Sequence, residues 1–542
     1  MTDATQCART VIEELISRGV REIVVAPGSR SAPLAYEIFE ADRIDLVRLH
    51  IRTDERSAAF TALGLAKASR EPVAVITTSG TAVANLHPAV LEAWHSRIPL
   101  IMITADRPAF LVGTGSNQTT DQRSLFDDHV VASAQFDDHR GDVRHWQFHT
   151  ARLVVAATGE RTAEPGPVHL NIAFSDPLTP TPVAINTRPP VIIESPARAA
   201  EPVSLPAGPQ TVIIAGDTDP ENGAAVAELA ERSRLPLLAE PSSNARRGAA
   251  AIALYRLLLT TELADEIERV IVIGHPTLSR PVSRLLARDD VEIIGVTPYA
   301  RWDDAGVGVT RVVPAVAPEP GDPAWLERWR DHDHRLAALV ERRLADDPDF
   351  TGPGLARTVW GALGGQDTLF TGSSNPVRDL DLAPISAEPP VTYANRGLAG
   401  IDGSASTAAG IALATGRPTH ALLGDLTFLH DLSGLIVGPD EPRPDLRVIV
   451  ANDNGGSIFA TLEYGAPSHL RAFERIFGTA HAVDLERLAG GLGAHFHRVA
   501  REEELADVLA EPPLGIEVVE ATIDRRHRRT LNSQLQQLTA NL

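Results

Sequence analysis

His420-Ala421-Leu422-Leu423-Gly424-Asp425-Leu426 and Leu446-Arg447-Val448-Ile449-Val450-Ala451-Asn452-Asp453-Asn454-Gly455-Gly456 are the two stretches on which the fold turns. Each is an apolar run closed by an acidic, glycine-bearing turn, and each run reads as a short buried strand. About thirty residues from strand to strand is the length of one strand–helix–strand unit with parallel strands. In such a sheet, loops leaving the carboxyl ends of neighbouring strands meet at one crevice. Asp425 and the Asp/Asn cluster are then expected to face each other there. Oxygen ligands of this kind suit a hard cation that also holds a diphosphate, Mg²⁺ above all. Glycines 424, 455 and 456 let backbone amides approach phosphate oxygens. The same residues also make two ordinary ligand-free turns, since Gly-Asp and Asn-Gly are common turn dipeptides.

Working outward, the 542 residues are too many for one core, and three domains are expected. A net charge of -21 argues against nucleic acid or an anionic membrane as the main partner. Cys7 is the one cysteine, so no intrachain disulfide is possible and the cytosol is the expected compartment. No signal-peptide pattern opens the chain, and no apolar run is long enough to span a bilayer. Lys67 is the only lysine. Arginine therefore carries nearly all the positive charge, and its abundance alone says little about anion binding.

Two proline-dense stretches, Asp176 to Gln210 and Val313 to Trp325, read as linkers, the second followed by a charged helix from about Leu326 to Ala345. The segments between them alternate strand-like and amphipathic helical runs, an α/β pattern with mainly parallel sheets. Glu22–Ala26, Val73–Thr77, Leu100–Thr104, Thr211–Ala215 and Val270–Ile273 are strand candidates. The first and last segments also resemble each other. Asp54-Glu55-Arg56-Ser57-Ala58 opens an Ala-rich helix with Gly64, then Pro72, then a strand. Asp402-Gly403-Ser404-Ala405 opens another with Gly410, then Pro418, then the strand before Asp425. The glycine-to-proline distance is the same in both. Two copies of one domain explain this; chance likeness of Ala-rich helices is the alternative.

The Gly-Asp pair, the Asn-rich turn and the duplicated layout together resemble the thiamine-diphosphate enzymes of the decarboxylase group. The likeness implies three doubly wound domains. These are a pyrimidine-binding domain over 1–180, a middle domain over 181–345, and a diphosphate-binding domain over 346–542 with the fold of the first. It implies thiamine diphosphate with Mg²⁺ or Mn²⁺, the metal held by Asp425, Asp453 and Gly455. Asn452 and Asn454 remain alternatives to Asp453. Glu55, Ile401, Gly424, Leu426, Gly456, Ser457 and Ile458 would contact the cofactor, with Ile401 as the apolar wedge beneath it. Leu426 stands where many members have a second glycine, and Asp453 where asparagine is usual.

Glu55 matches the glutamate these enzymes need at a strand-to-helix junction, with Leu46–Ile51 leading into it. A carboxyl beside ring nitrogen N1′ of the aminopyrimidine shares a proton with the ring and makes the exocyclic amine basic. Burial raises a carboxyl pKa and favours that sharing near neutrality. Without a cofactor, Glu55 is simply a first-turn glutamate that suits the helix dipole.

Pro27-Gly28-Ser29-Arg30-Ser31, Thr104-Ala105-Asp106-Arg107-Pro108, Asn117-Gln118, Asn395-Arg396-Gly397 and Asn454-Gly455-Gly456-Ser457-Ile458-Phe459 narrow the likeness. Together they are similar to the family of transferases that make 2-succinyl-5-enolpyruvyl-6-hydroxy-3-cyclohexene-1-carboxylate for menaquinone. The resemblance implies decarboxylation of 2-oxoglutarate and 1,4-addition of the acyl anion equivalent to isochorismate. Ser29, Arg30, Arg107, Asn117, Gln118, Arg280, Ser374, Arg378, Arg396 and Phe459 would line the substrate site. Arg30, Arg107 and Arg396 would serve the reaction beside Glu55. Ser279 replaces a lysine common before the position of Arg280. Both substrates are dicarboxylates, and arginine grips a carboxylate in a two-point fork. Charges beyond about 8 Å are screened, so a few pocket arginines outweigh the acidic total. The resemblance also implies a homo-oligomer, dimer or tetramer.

Other readings stay open. An acetolactate-synthase-like enzyme or simple 2-oxoacid decarboxylase would share Glu55 and the metal turn but not the arginine loops. A non-catalytic cofactor-binding protein would not need both Glu55 and Asp425. Gly113-Thr114-Gly115 lacks the rest of a dinucleotide fingerprint. His87, His420 and His430 read as structural, and Cys7 as packing in an N-terminal helix.

Overall fold

The computed structural model describes residues 3–179, 185, 189–194 and 201–542. The boundary expected at 180/181 lies outside these residues. The chain forms two units, Met1–Ala197 with Gly397–Gly416 and His430–Pro444, and Arg198–Arg396 with Arg417–Leu429 and Asp445–Leu542.

The first unit is built on six parallel strands: β1 (Glu22–Val25), β2 (Arg48–Ile51), β3 (Val73–Thr77), β4 (Leu100–Asp106), β5 (Ala132–Asp137) and β6 (Val168–Ala173). Their order is β2-β1-β3-β4-β6-β5. Apolar side chains leave both faces, because successive residues of a strand point to opposite sides. Ile23 and Val25 meet Leu15, Ile38 and Val154 of three helices on one face. Val24 meets Leu63 and Val90 of two helices on the other. Near-continuous apolar strands of this kind belong to buried parallel sheets. The expected strand at Glu22–Ala26 ends one residue earlier, and the one at Leu100–Thr104 runs to Asp106. Cys7 is buried in the helix Asp3–Ser17, as packing.

The second unit carries β7 (Val203–Leu205), β8 (Thr211–Ala215), β9 (Leu237–Ala239), β10 (Arg269–Ile273), β11 (Glu292–Val296), β12 (Val309–Val313) and β13 (Val316–Pro318). Five make a parallel sheet in the order β12-β11-β10-β8-β9. Val212 and Ile214 pack on Trp325, Trp329 and Leu336 of the helix Pro323–Ala345. The Trp325 indole N–H donates to Thr211 O at 2.9 Å. β7 and β13 pair in parallel with each other. They lie inside the two proline-dense stretches, which corrects the reading of those stretches as plain linkers. A Pro at the end of a short ladder removes only one donor, so pairing survives it.

The last sheet consists of β14 (Thr368–Thr371), β15 (Val391–Tyr393), β16 (Thr419–Gly424), β17 (Leu446–Asn452), β18 (His495–Val499) and β19 (Ile516–Thr522). Its order is β15-β14-β16-β17-β19-β18, all parallel. Counted from the first strand of each sheet, this is the order of the first sheet. The duplicated fold read from the glycine and proline spacing is therefore present. β16 and β17 are neighbours, with Gly424 opposite Ala451, so Asp425 and Asn452–Gly456 leave adjacent strand ends.

The two Ala-rich helices, Glu55–Ser69 and Ser404–Thr415, pack backbone against backbone within the first unit. A Cβ on Gly64 would lie 2.1 Å from Thr407 O, and one on Gly410 would lie 2.2 Å from Thr61 O. The contact is reciprocal: each glycine meets the carbonyl three residues before the other. Among the described residues, no helix is long and apolar enough to cross a membrane.

Candidate active site

In the first unit the expected site residues follow the carboxyl ends of the strands. Arg30 follows β1, Glu55 follows β2, and Arg107 follows β4. Glu55 is half-buried at the first position of its helix, where Asn85 Nδ2 donates to its Oε2 at 3.3 Å. The turn that presents Glu55 is firmly held. Asp54 Oδ1 accepts from Arg56 N at 2.9 Å and Ser57 N at 3.1 Å, a helix N-cap. Its Oδ2 accepts from Ser433 Oγ at 3.1 Å, and Ser57 Oγ pairs with Ser433 Oγ at 2.7 Å. Asp431, fully buried, accepts from Ser406 N at 2.7 Å. Burial pushes its carboxyl up to about 6 against these hydrogen bonds. Asp431 and Ser433 thus tie the first turn of the Glu55 helix to the start of the Ser404–Thr415 helix.

Arg30 is buried; its Nη1 donates to Phe174 O at 2.9 Å and lies 3.6 Å from Asp176. Burial, and then the neighbouring Arg107 guanidinium, lower its pKa from the usual arginine value. The Nε atoms of Arg30 and Arg107 are both buried, without a hydrogen-bond partner among the described residues. Two mutually repelling guanidiniums with unspent donors suit an anion with two oxygens. Ser29 and Asn117 are exposed. Gln118 is also exposed, with its Nε2 donating to Ser79 O at 2.9 Å. Ile401 is half-buried in this unit.

In the second unit Asp425 is buried, at the start of the short helix Asp425–His430. Its Oδ1 accepts from Leu426 N, and its Oδ2 from Gly455 N, each at 2.7 Å. His481 Nε2 lies 3.1 Å from the same Oδ2. Burial raises the Asp425 pKa against these bonds. Asp453 is pushed up to about 7, by burial first and then by the Asp425 carboxylate. Ser457 Oγ donates to Asp453 Oδ2, and Asn375 Nδ2 donates to Ser457 Oγ at 2.6 Å. Asp453 Oδ1 is buried, with no hydrogen-bond partner among the described residues. Two neighbouring carboxylates, of which one raises the other's proton affinity and that other has an unsatisfied oxygen, fit a divalent cation.

The asparagines of the turn are engaged. Asn452 Nδ2 donates to Glu520 Oε1 at 2.6 Å, and Asn454 Oδ1 accepts from His481 N at 3.0 Å. The glycine amides are engaged too: Gly455 N on Asp425, and Gly456 N on Gly478 O at 2.8 Å. A Cβ on Gly455 would lie 1.9 Å from Gly478 O, so close backbone packing alone demands glycine there. Gly424, Leu426 and Ile458 are half-buried and Ser457 is buried. The half-buried Phe459 ring lies 5.5 Å from that of Phe477.

Arg378 and Arg396 form a second cationic pair. Burial and then the Arg396 charge bring the Arg378 guanidinium down to about 10. Its Nη1 donates to Ser374 O at 2.7 Å. Ser374 itself has φ 75, a left-handed value unusual for a side chain with Cβ. Arg280 is exposed and paired with Glu463 at 3.2 Å, apart from this pair's hydrogen bonds.

Sequence reasoning missed Asn85, His481, Asn375, Asp431 and Ser433. Only Asn375 had a signal, since it lies beside Ser374 at a strand end. The rest are single polar residues brought in by the fold.

Comparison with known proteins gives the family. The family described as "Thiamine pyrophosphate enzyme, N-terminal TPP binding domain" matches residues 5–125. Its C-terminal TPP binding domain counterpart matches residues 381–513. A 2-succinyl-5-enolpyruvyl-6-hydroxy-3-cyclohexene-1-carboxylate synthase from Kineococcus radiotolerans is 47% identical over 97% of this chain and 97% of its own length. Proteins of the same name from a Nocardioides and a Mycobacterium species are 46% and 42% identical. The first alignment covers 99% of this chain and 98% of the relative, the second 99% of both. The chain belongs to the 2-succinyl-5-enolpyruvyl-6-hydroxy-3-cyclohexene-1-carboxylate synthase family of thiamine pyrophosphate enzymes.

Proposed function

We infer that this protein is a transferase of menaquinone biosynthesis that decarboxylates 2-oxoglutarate and adds the resulting four-carbon acyl group to isochorismate. The product is 2-succinyl-5-enolpyruvyl-6-hydroxy-3-cyclohexene-1-carboxylate. The observation that carries this reading is identity of 42–47% to synthases of that name along nearly the whole chain. The two arginine pairs, each with one buried member, support it, because both substrates are dicarboxylates.

Thiamine diphosphate, when bound, supplies the electron sink for loss of carbon dioxide. Asp425, Asp453 and the Gly455 carbonyl would hold Mg²⁺ or Mn²⁺ with its diphosphate. Glu55 would share a proton with N1′ of the aminopyrimidine, and its fixed helix turn would keep it aimed. Arg30 with Arg107, and Arg378 with Arg396, would bind substrate carboxylates and orient them for attack. Ile401, Ile458 and Phe459 would limit water, so that the acyl group meets isochorismate before a proton. Three domains over 1–180, 181–345 and 346–542, a homodimer or homotetramer, and a cytoplasmic location complete the reading.

An assay by mass spectrometry tests it, with thiamine diphosphate, Mg²⁺, 2-oxoglutarate and isochorismate each omitted in turn. An adduct that needs all four supports the reading. Succinic semialdehyde without adduct points to a different acceptor, as in the acetolactate-synthase-like alternative. Chelation of the metal should abolish turnover and be reversed by Mg²⁺.

A further inference from the structure

Arg396 is the most deeply buried of the candidate substrate arginines, at 2% exposure. Most of its donors are committed to one residue. Nε and Nη2 donate to Thr277 Oγ1 at 3.1 and 2.7 Å, and Nη2 also reaches Thr277 O at 3.2 Å. Among the described residues, Nη1 has only Ser373 Oγ, at 3.5 Å. A guanidinium is a rigid planar fork, so two-point contact along one edge fixes its plane and leaves the Nη1 side for an incoming acceptor.

Thr277 lies in the loop after β10, outside regular structure. That loop is held by a carboxylate of its own. Glu240, directly after β9 and 1% exposed, accepts from Leu278 N at 2.9 Å and Thr277 N at 3.3 Å. A chain of contacts therefore runs from Glu240 through the Thr277 backbone and hydroxyl to Arg396.

We propose that Thr277 is a positioning residue that aims Arg396 at a substrate carboxylate, and that Glu240 acts through Thr277 by holding its loop. The proposal deepens the functional reading and rests on Arg396 binding substrate.

The test uses the cofactor-loaded enzyme and steady-state kinetics with each substrate varied. Thr277→Val keeps the volume and removes Oγ1; it should raise KM for one of the two carboxylate substrates about tenfold, with kcat little changed. Thr277→Ser restores the hydroxyl and should return KM to the wild-type value. Equal defects in both variants, or a fall in kcat with KM unchanged, overturn the proposal. Arg396→Ala separates it from the reading beneath. If Arg396→Ala leaves both KM values unchanged, the substrate role of Arg396 falls. If it raises KM while Thr277→Val does not, only the positioning role falls. Glu240→Gln should raise the same KM, and its effect should be less than additive with Thr277→Val. Full additivity overturns the claim that Glu240 works through Thr277.

Discussion

At Glu55 a single carboxyl is held by its helix turn more than by its own contacts. Asn85 is its hydrogen-bond partner at 3.3 Å, while Asp54, Ser57 and Ser433 fix the backbone beneath it. Replacing Glu55 by Gln keeps the shape and removes the exchangeable proton. Turnover should fall by about a hundredfold or more, with thiamine diphosphate affinity unchanged by calorimetry. Near-normal turnover would remove Glu55 from the chemistry. The place of Glu55 was legible in the sequence, because the strand-to-helix junction and its acidic first turn are local. What the sequence could not give is the partner set. Ser433 lies far along the chain from Asp54, and no local pattern marks a serine as the one that completes a distant cap. The same holds for His481 beside Asp425, where a single histidine after Gly478-Thr479-Ala480 has no periodicity to betray it.

Among the elements, strands read as continuous apolar runs were placed to within a residue or two, because full burial on both faces leaves an unmistakable run. β5 escaped notice. It is an edge strand, half exposed, and its Ala-Ser-Ala-Gln-Phe-Asp sequence has no such run. The paired strands β7 and β13 escaped for another reason: three residues among prolines carry too little signal. The packing of Glu55–Ser69 on Ser404–Thr415 makes a sharper claim. Gly64→Val puts side-chain atoms where Thr407 O already lies, so the helices must separate. A loss of about 1–3 kcal/mol is expected from thermal or urea unfolding. Gly361, inside the helix Gly352–Ala362, has nothing within 4 Å of its would-be Cβ. Gly361→Ala should gain about 0.5–1 kcal/mol in the same assay. Equal effects at the two positions would contradict the close approach at Gly64.

For the whole molecule, stability should depend on two histidines kept neutral inside parallel sheets. Burial lowers His169 to about 4, and burial with nearby Arg447 lowers His420 to about 3. Both values lie below the 6.5 of an exposed histidine. Stability from these groups is therefore full above pH 6.5 and is lost as pH falls toward 4 and 3. Between pH 7 and pH 5 each should cost about 2 kcal/mol. Urea unfolding of wild type and His420→Leu at both pH values checks this: the wild type should lose about 2 kcal/mol more than the variant. Equal losses would mean that His420 is not held neutral. At this scale the duplication was the most legible property, since equal glycine-to-proline spacing survives where side chains have diverged. The shared strand order was not, because pairing order is set by crossovers that leave no mark in composition. The reciprocal glycine contact has one more consequence. Nine residues before Gly64 stands Glu55, and nine before Gly410 stands Ile401. Equivalent places in the two copies thus hold an acid and a hydrocarbon, so symmetry has been broken there completely. At the glycines it cannot break at all: each side is already as small as an amino acid can be, and neither has slack to yield to the other. The seam is a fixed point about which the two halves have been free to drift into opposite chemical characters.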